Sequence, residues 1–117
     1  MRFNMRFGAV LLGAAMLAGC NTVTEGEWNN AQAVMQGSPA VKRQVIKGCV
    51  ARQAAKPLAE RKLESQVFNV GLERLPSTFC NRLWNAFAKG RISYADYLKL
   101  WSSTADNSKV IKIMQGN

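Results

Sequence analysis

The residues of this chain that could do chemistry are few: seven carboxylates, three cysteines and no histidine. Glu60 and Glu64 stand four apart, so a helix would place them on one face. Paired carboxylates of that kind can divide acid and base roles in glycoside cleavage. Lys56, Arg61 and Lys62 surround this pair, however, and positive neighbours favour the ionised form of both groups over the split that catalysis needs. A solvated, salt-bridged helix face is the reading that follows. Without histidine the usual general base is missing, and neither a glycine-rich phosphate cradle nor a serine nucleophile elbow is present. The chain is expected to be non-catalytic and to carry no cofactor.

One segment has half of a metal-binding pattern. Gly90, Ile92 and Asp96 match the sharp-turn glycine, the inward aliphatic and the last ligand of an EF-hand calcium loop. The three preceding ligand positions fall on Asn85, Phe87 and Lys89, where an aromatic ring and a cation replace oxygen donors. No metal site is expected, and a helix–glycine–helix corner accounts for the same residues.

The third cysteine environment is of another kind. Arg2 and Arg6 precede an apolar run from Phe7 to Met16, and Leu17-Ala18-Gly19-Cys20 follows. Ten residues at about 1.5 Å each span about 15 Å, half of a bilayer's hydrocarbon core, so this run has the form of a cleaved export signal. The segment resembles the bacterial lipoprotein class, whose lipobox reads Leu-Ala-Gly-Cys. The resemblance covers Met1 to Cys20. It implies removal of residues 1–19 and a mature N-terminal Cys20 carrying a thioether-linked diacylglycerol and an acylated amino group. Asn21, in place of the aspartate that retains such proteins in the inner membrane of enterobacteria, implies an outer-membrane location. Farther along, the cysteine-bearing helices and Asn85-Ala86-Phe87-Ala88-Lys89-Gly90-Arg91-Ile92 resemble small outer-membrane lipoproteins of rhizobia-like bacteria, a likeness that transfers no functional residues.

With Cys20 consumed by lipid, Cys49 and Cys80 remain as a pair in an oxidising compartment, and a disulfide is expected between them. Closing a loop of about thirty residues would stabilise a small domain by roughly 3–4 kcal/mol in the chain-entropy model. Removal of the signal would leave 98 residues, enough for one small domain.

Helical spacing and capping residues outline that domain. Residues 20–37 are expected as a lipidated tether, in which Glu25 to Gln36 could form a short helix around Trp28. The Trp28 ring could lie in the membrane interface or pack on its own domain. A helical domain is expected over 38–104. Ser38-Pro39 supplies an N-cap and a first-turn proline, and Val41, Val45 and Cys49 follow on one stripe. After Pro57, the stripe of a second helix runs through Ala59, Leu63, Val67 and Val70, ending before Gly71. Leu75-Pro76-Ser77 opens a third, whose apolar face is Cys80, Leu83, Trp84, Phe87 and Ala88, with Gly90 as its C-cap. Ser93 and Asp96 form a capping box for a fourth, with Tyr94, Tyr97, Leu98 and Trp101 facing inward. Residues 105–117 are a tail whose Val110 to Met114 segment could dock as a short helix or strand or stay loose. The expected fold is therefore all-α, a small bundle of about four short helices, with the disulfide clamping the first to the third.

Charge supplies the remaining functional expectation. The whole chain carries +9, and loss of Arg2 and Arg6 with the signal leaves +7. Arg43, Lys47, Arg52, Lys56, Arg61 and Lys62 would gather near the junction of the first two helices as a patch for anionic surfaces. Lipopolysaccharide, anionic lipid and peptidoglycan are the chemistries that such a patch would meet on an envelope. The alternative is an adaptor within an envelope protein complex. Nucleic acid fits less well, because the signal directs the chain out of the cell and the aromatics sit on core-facing stripes.

Overall fold

The structure is a computed structural model that describes residues 22–117. The expected signal segment 1–19 and the lipidation site Cys20 lie outside the described residues. Six helices make up the described chain: α1 (Glu25–Gly37), α2 (Pro39–Ala54), α3 (Leu58–Val67), α4 (Leu75–Ala88), α5 (Tyr94–Lys99) and α6 (Ser108–Met114). The all-α fold stapled by a disulfide is as expected from the sequence. None of the described helices is long and apolar enough to cross a membrane.

Local chemistry explains where the helices begin. The Thr24 hydroxyl accepts from the Glu27 amide, and the Ser38 hydroxyl accepts from Val41 N, each satisfying an amide that the first helical turn leaves unpaired. At α5 the capping box is complete: Ser93 Oγ accepts from Asp96 N at 3.0 Å, and Asp96 Oδ2 accepts from Ser93 N at 2.9 Å. Gly90, at φ +75°, turns the chain out of α4 in a backbone region that side chains disfavour.

Helix α4 is the axis of the molecule and packs against α1, α2, α3 and α6. Its composition requires this, since Leu75, Cys80, Ala86, Phe87 and Ala88 are all buried. Cys49 on α2 bonds to Cys80 with a Cα–Cα separation of 5.8 Å, and both residues are buried. Two apolar clusters lie either side of α4. One joins Met35, Phe87 and Ala88 with Val45 and Trp84; the other joins Ala86, Ile92, Val110, Ile113 and Met114 with Phe79 and Leu83. Trp28 packs against both, meeting the Phe87 ring edge-on at 4.7 Å and the Tyr97 ring at 4.9 Å.

Both ends of the expected domain move outward. The segment expected as a tether becomes, from Glu25 on, helix α1, a full part of the bundle. Gln32 and Gln36 donate their side-chain amides to the carbonyls of Phe87 and Ala88, at 3.0 and 2.7 Å, and so satisfy the last turn of α4. The segment expected as a tail forms α6 and buries Val110, Ile113 and Met114. Arg82 completes that dock by donating Nη1 to the Met114 carbonyl at 2.8 Å. Gly116, at φ +97°, leaves room for the guanidinium, because a Cβ there would stand 3.0 Å from Arg82 Nη2.

Two expected inward faces are turned toward solvent. On α3, Arg61, Glu64, Ser65 and Phe68 lie on the half-buried side, while Leu63 is 61% exposed and Val67 40% exposed. On α5, Leu98 is 42% exposed and Trp101, just beyond the helix, is 59% exposed, although Tyr94 and Tyr97 are half-buried against Trp28. The physical reason is the same in each case. The side of α3 that docks is held by polar contacts near its ends, and α5 is held by Trp28 and by its buried capping carboxylate, so neither helix needs its whole stripe to be covered.

Candidate functional site

The six basic residues expected to form one patch are placed in four groups. Arg43 and Lys47 are exposed, one turn apart on α2. Arg52 is nine residues after Arg43, about 180° around the helix at 3.6 residues per turn, and lies back alongside Gly48. Lys56 and Arg61 do meet at the α2–α3 junction, but in structural roles. Lys56 Nζ contacts Glu64 Oε1 at 2.7 Å and sits 5.7 Å from the centre of the Phe79 ring, while Arg61 Nε donates to the Lys56 carbonyl at 2.9 Å. Lys62 is exposed on α3. The six are thus spread over different sides of α2 and α3, and the two at the junction, Lys56 and Arg61, already have partners within the protein.

A different set of cations is brought together on the far side of α4. The last turns of α4, the corner at residues 89–91 and helix α6 enclose a cleft of about 330 Å³ whose lining includes Asn81, Arg82, Asn85, Lys89 and Arg91. A second cleft of about 500 Å³ adjoins it through Arg91 and Ile113 and is lined by Lys109, Lys112 and Asn117 as well. Five basic side chains therefore face these two spaces, and no carboxylate side chain lines either. Arg82 is committed to the Met114 carbonyl, and Arg91 Nη2 donates to the Asn117 main-chain oxygen at 2.7 Å. Lys89 and Lys112 are exposed, with no ion pair among the described residues.

Lys109 ties the rim of this site to α5. Its ammonium lies 2.6 Å from Asp96 Oδ2, and Asp96 is buried while Lys109 is more than half exposed. The Lys109 hydrogen bond, helped by those from Ser93, holds the Asp96 carboxyl at about 2, below its usual 3.8 and against the opposing effect of burial. Asp96 is thus the capping carboxylate of α5 and the partner of a lysine. The corner that matches half a calcium loop is a helix cap closed on an ammonium group. Among the described residues, no three His, Cys, Asp or Glu side chains gather where they could hold a metal ion.

Sequence reasoning missed the paired clefts because their cations come from two stretches separated by all of α5. The available signal was Lys109 and Lys112, three apart in a segment whose Val110, Ile113 and Met114 have helical spacing. Reading that segment as a helix would have placed both lysines beside one another on its outer side.

A smaller apolar cleft of about 260 Å³ lies between Phe68, Phe79, Leu83, Leu100 and Met114, with Asn107 as its polar liner. It offers no charged group to orient a reacting molecule. Comparisons with protein-family models, with curated proteins and with solved structures each returned no match.

Proposed function

We propose that this chain is a non-catalytic outer-membrane lipoprotein whose basic helical domain binds anionic envelope, cell or vesicle surfaces. The observation that carries this reading is the pair of adjoining clefts lined by Arg82, Lys89, Arg91, Lys109 and Lys112, of which only Lys109 is ion-paired among the described residues. Phosphates of lipopolysaccharide or of anionic lipids match such a site in charge, with the exposed Lys89 and Lys112 offering mobile ammonium groups. Each basic side chain near an anionic surface contributes roughly 1 kcal/mol. A lipid on Cys20 would hold the domain at a surface, where weak contacts become effective through high local concentration. Arg43 and Lys47 add exposed positive charge on α2.

The test is co-sedimentation with vesicles containing anionic lipid, and with lipopolysaccharide, at low salt. Reversal of the two unpaired lysines, Lys89→Glu with Lys112→Glu, should weaken binding by at least about tenfold. Reversal of Arg43 and Lys47 should have the smaller effect. Binding by the Lys89/Lys112 variant equal to that of the wild type would sink the assignment.

A second reading has its own support. The outward stripe of α3, with Leu63 61% exposed, fits an adaptor that docks another envelope protein through an apolar contact. Such a contact should survive about 0.5 M salt, whereas surface binding through the clefts should not.

A further inference from the structure

Helix α5 and the residues just after it carry Tyr94, Tyr97, Leu98 and Trp101 at spacings that place all four on one side of a helix. The tyrosine rings are half-buried against Trp28, at 6.1 and 4.9 Å, and the Trp101 ring meets Tyr97 edge-on at 6.2 Å. Beyond the tyrosines the stripe has no cover, leaving Trp101 59% and Leu98 42% exposed. The polypeptide is pinned at this same place. Val23 N donates to the Tyr97 hydroxyl at 3.0 Å, and the Tyr94 hydroxyl donates to the Val23 carbonyl at 2.9 Å. Val23 is itself 38% exposed.

Only three residue steps separate Val23 from Cys20, and three steps of chain reach at most about 10 Å. The backbone of Cys20 therefore cannot be farther than about 10 Å from Val23, which is itself hydrogen-bonded to the tyrosines of this stripe. An indole and two phenols beside aliphatic side chains form the chemistry that settles at the boundary between lipid headgroups and hydrocarbon. We propose that the corner formed by Val23, Tyr97, Leu98 and Trp101 docks on the lipid bilayer and fixes the orientation of the domain. This inference rests on the reading of Cys20 as lipidated. The contact with lipid is made by the exposed Val23, Leu98 and Trp101, none of which lines the basic clefts.

The experiment uses the full chain, exported and processed in a bacterial host, extracted in detergent and weighed by mass spectrometry for the diacylglycerol on Cys20. The protein is then reconstituted into phosphatidylcholine vesicles, with or without brominated acyl chains, at about 0.5 M salt to suppress electrostatic binding. Bromine quenches tryptophan fluorescence only at short range. The wild type should be quenched by the brominated lipid, and Trp101→Phe should lose most of that quenching, since Trp28 and Trp84 are half-buried within the protein. Trp101 is mostly solvent-facing, so this variant keeps its fold, which the helical circular dichroism signal verifies.

A lipidated protein that floats with the vesicles but whose quenching is unchanged by Trp101→Phe overturns the docking while leaving the anchor in place. A preparation without the lipid mass overturns both. Dimerisation in sedimentation equilibrium that is abolished by Trp101→Phe would assign the corner to a second copy of the chain and overturn bilayer docking. The high salt and neutral lipid keep all of these results independent of the cleft variants.

Discussion

Helices α4 and α5 each carry an apolar stripe at helical spacing, yet one is the axis of the core and the other is half-uncovered. In α4, Leu75 and Cys80 have no measurable exposure, and the stripe continues through Ala86, Phe87 and Ala88. In α5 the first turn is held by Trp28 and by the Asp96–Lys109 pair, while Leu98 near its end and Trp101 just beyond it face solvent. Helix α3 resembles α5, with Leu63 and Val67 turned outward. Periodicity therefore identifies a face that must leave water, but does not say whether the same chain covers it. The three helices differ in position. Helix α4 lies between four neighbours, whereas α3 and α5 are peripheral, and a peripheral helix with polar anchors can leave apolar surface free for lipid or a partner.

The comparison would be broken first at the disulfide. Replacing Cys49 and Cys80 together by alanine should lower unfolding stability by about 3–4 kcal/mol, read as a fall in the urea midpoint. A loss below about 1 kcal/mol would mean that α2 and α4 are held by packing alone. Next comes a matched pair of truncations. Leu75→Ala, at a site with no exposure, should cost about 3 kcal/mol, whereas Leu63→Ala, at 61% exposure, should cost no more than about 0.5 kcal/mol. Equal costs in chemical denaturation would show that α3 buries its stripe in solution.

The smallest effect concerns the anchor of α5. Folding holds the Asp96 carboxyl at about 2, below its usual 3.8, chiefly through Lys109. The ionised form is therefore favoured by the folded state. Its stabilisation should be fully present above about pH 4 and lost as pH falls through about 2. Because Lys109 is more than half exposed, solvent screening limits the contribution to about 1–2 kcal/mol. Urea unfolding of Asp96→Asn across that range should show a flatter pH dependence than the wild type. An unchanged slope would assign the acid sensitivity elsewhere.

Much of the fold was legible from short-range chemistry. Ser38-Pro39 marks the start of α2, and Ser93 with Asp96 marks the start of α5, because a capping hydroxyl and a third-residue carboxylate act within one turn. Cys49 and Cys80 are the two cysteines left once Cys20 is assigned to lipid, and each falls on the apolar stripe of its own helix, in agreement with the bond between them. Helix α1 was less legible. Its docking depends on Gln32 and Gln36 meeting the end of α4, residues that the chain places more than fifty positions away. Helix α6 is short and mixes Lys109 and Lys112 with its apolar residues, and only the surface of α4 settles which side it buries. The basic clefts were hard to read for the same reason, and the expected patch at the α2–α3 junction is spread by helix geometry, since Arg43 and Arg52, nine positions apart, lie on opposite sides of α2.

By itself the sequence determined the all-helical character of the described chain, most helix starts and the cysteine pairing. These follow from capping, spacing and composition, which act within a turn or along one stripe. The tertiary structure alone decided which apolar faces are covered and which cations converge. Both depend on where peripheral helices sit around α4, and that is set by contacts between residues far apart in the chain.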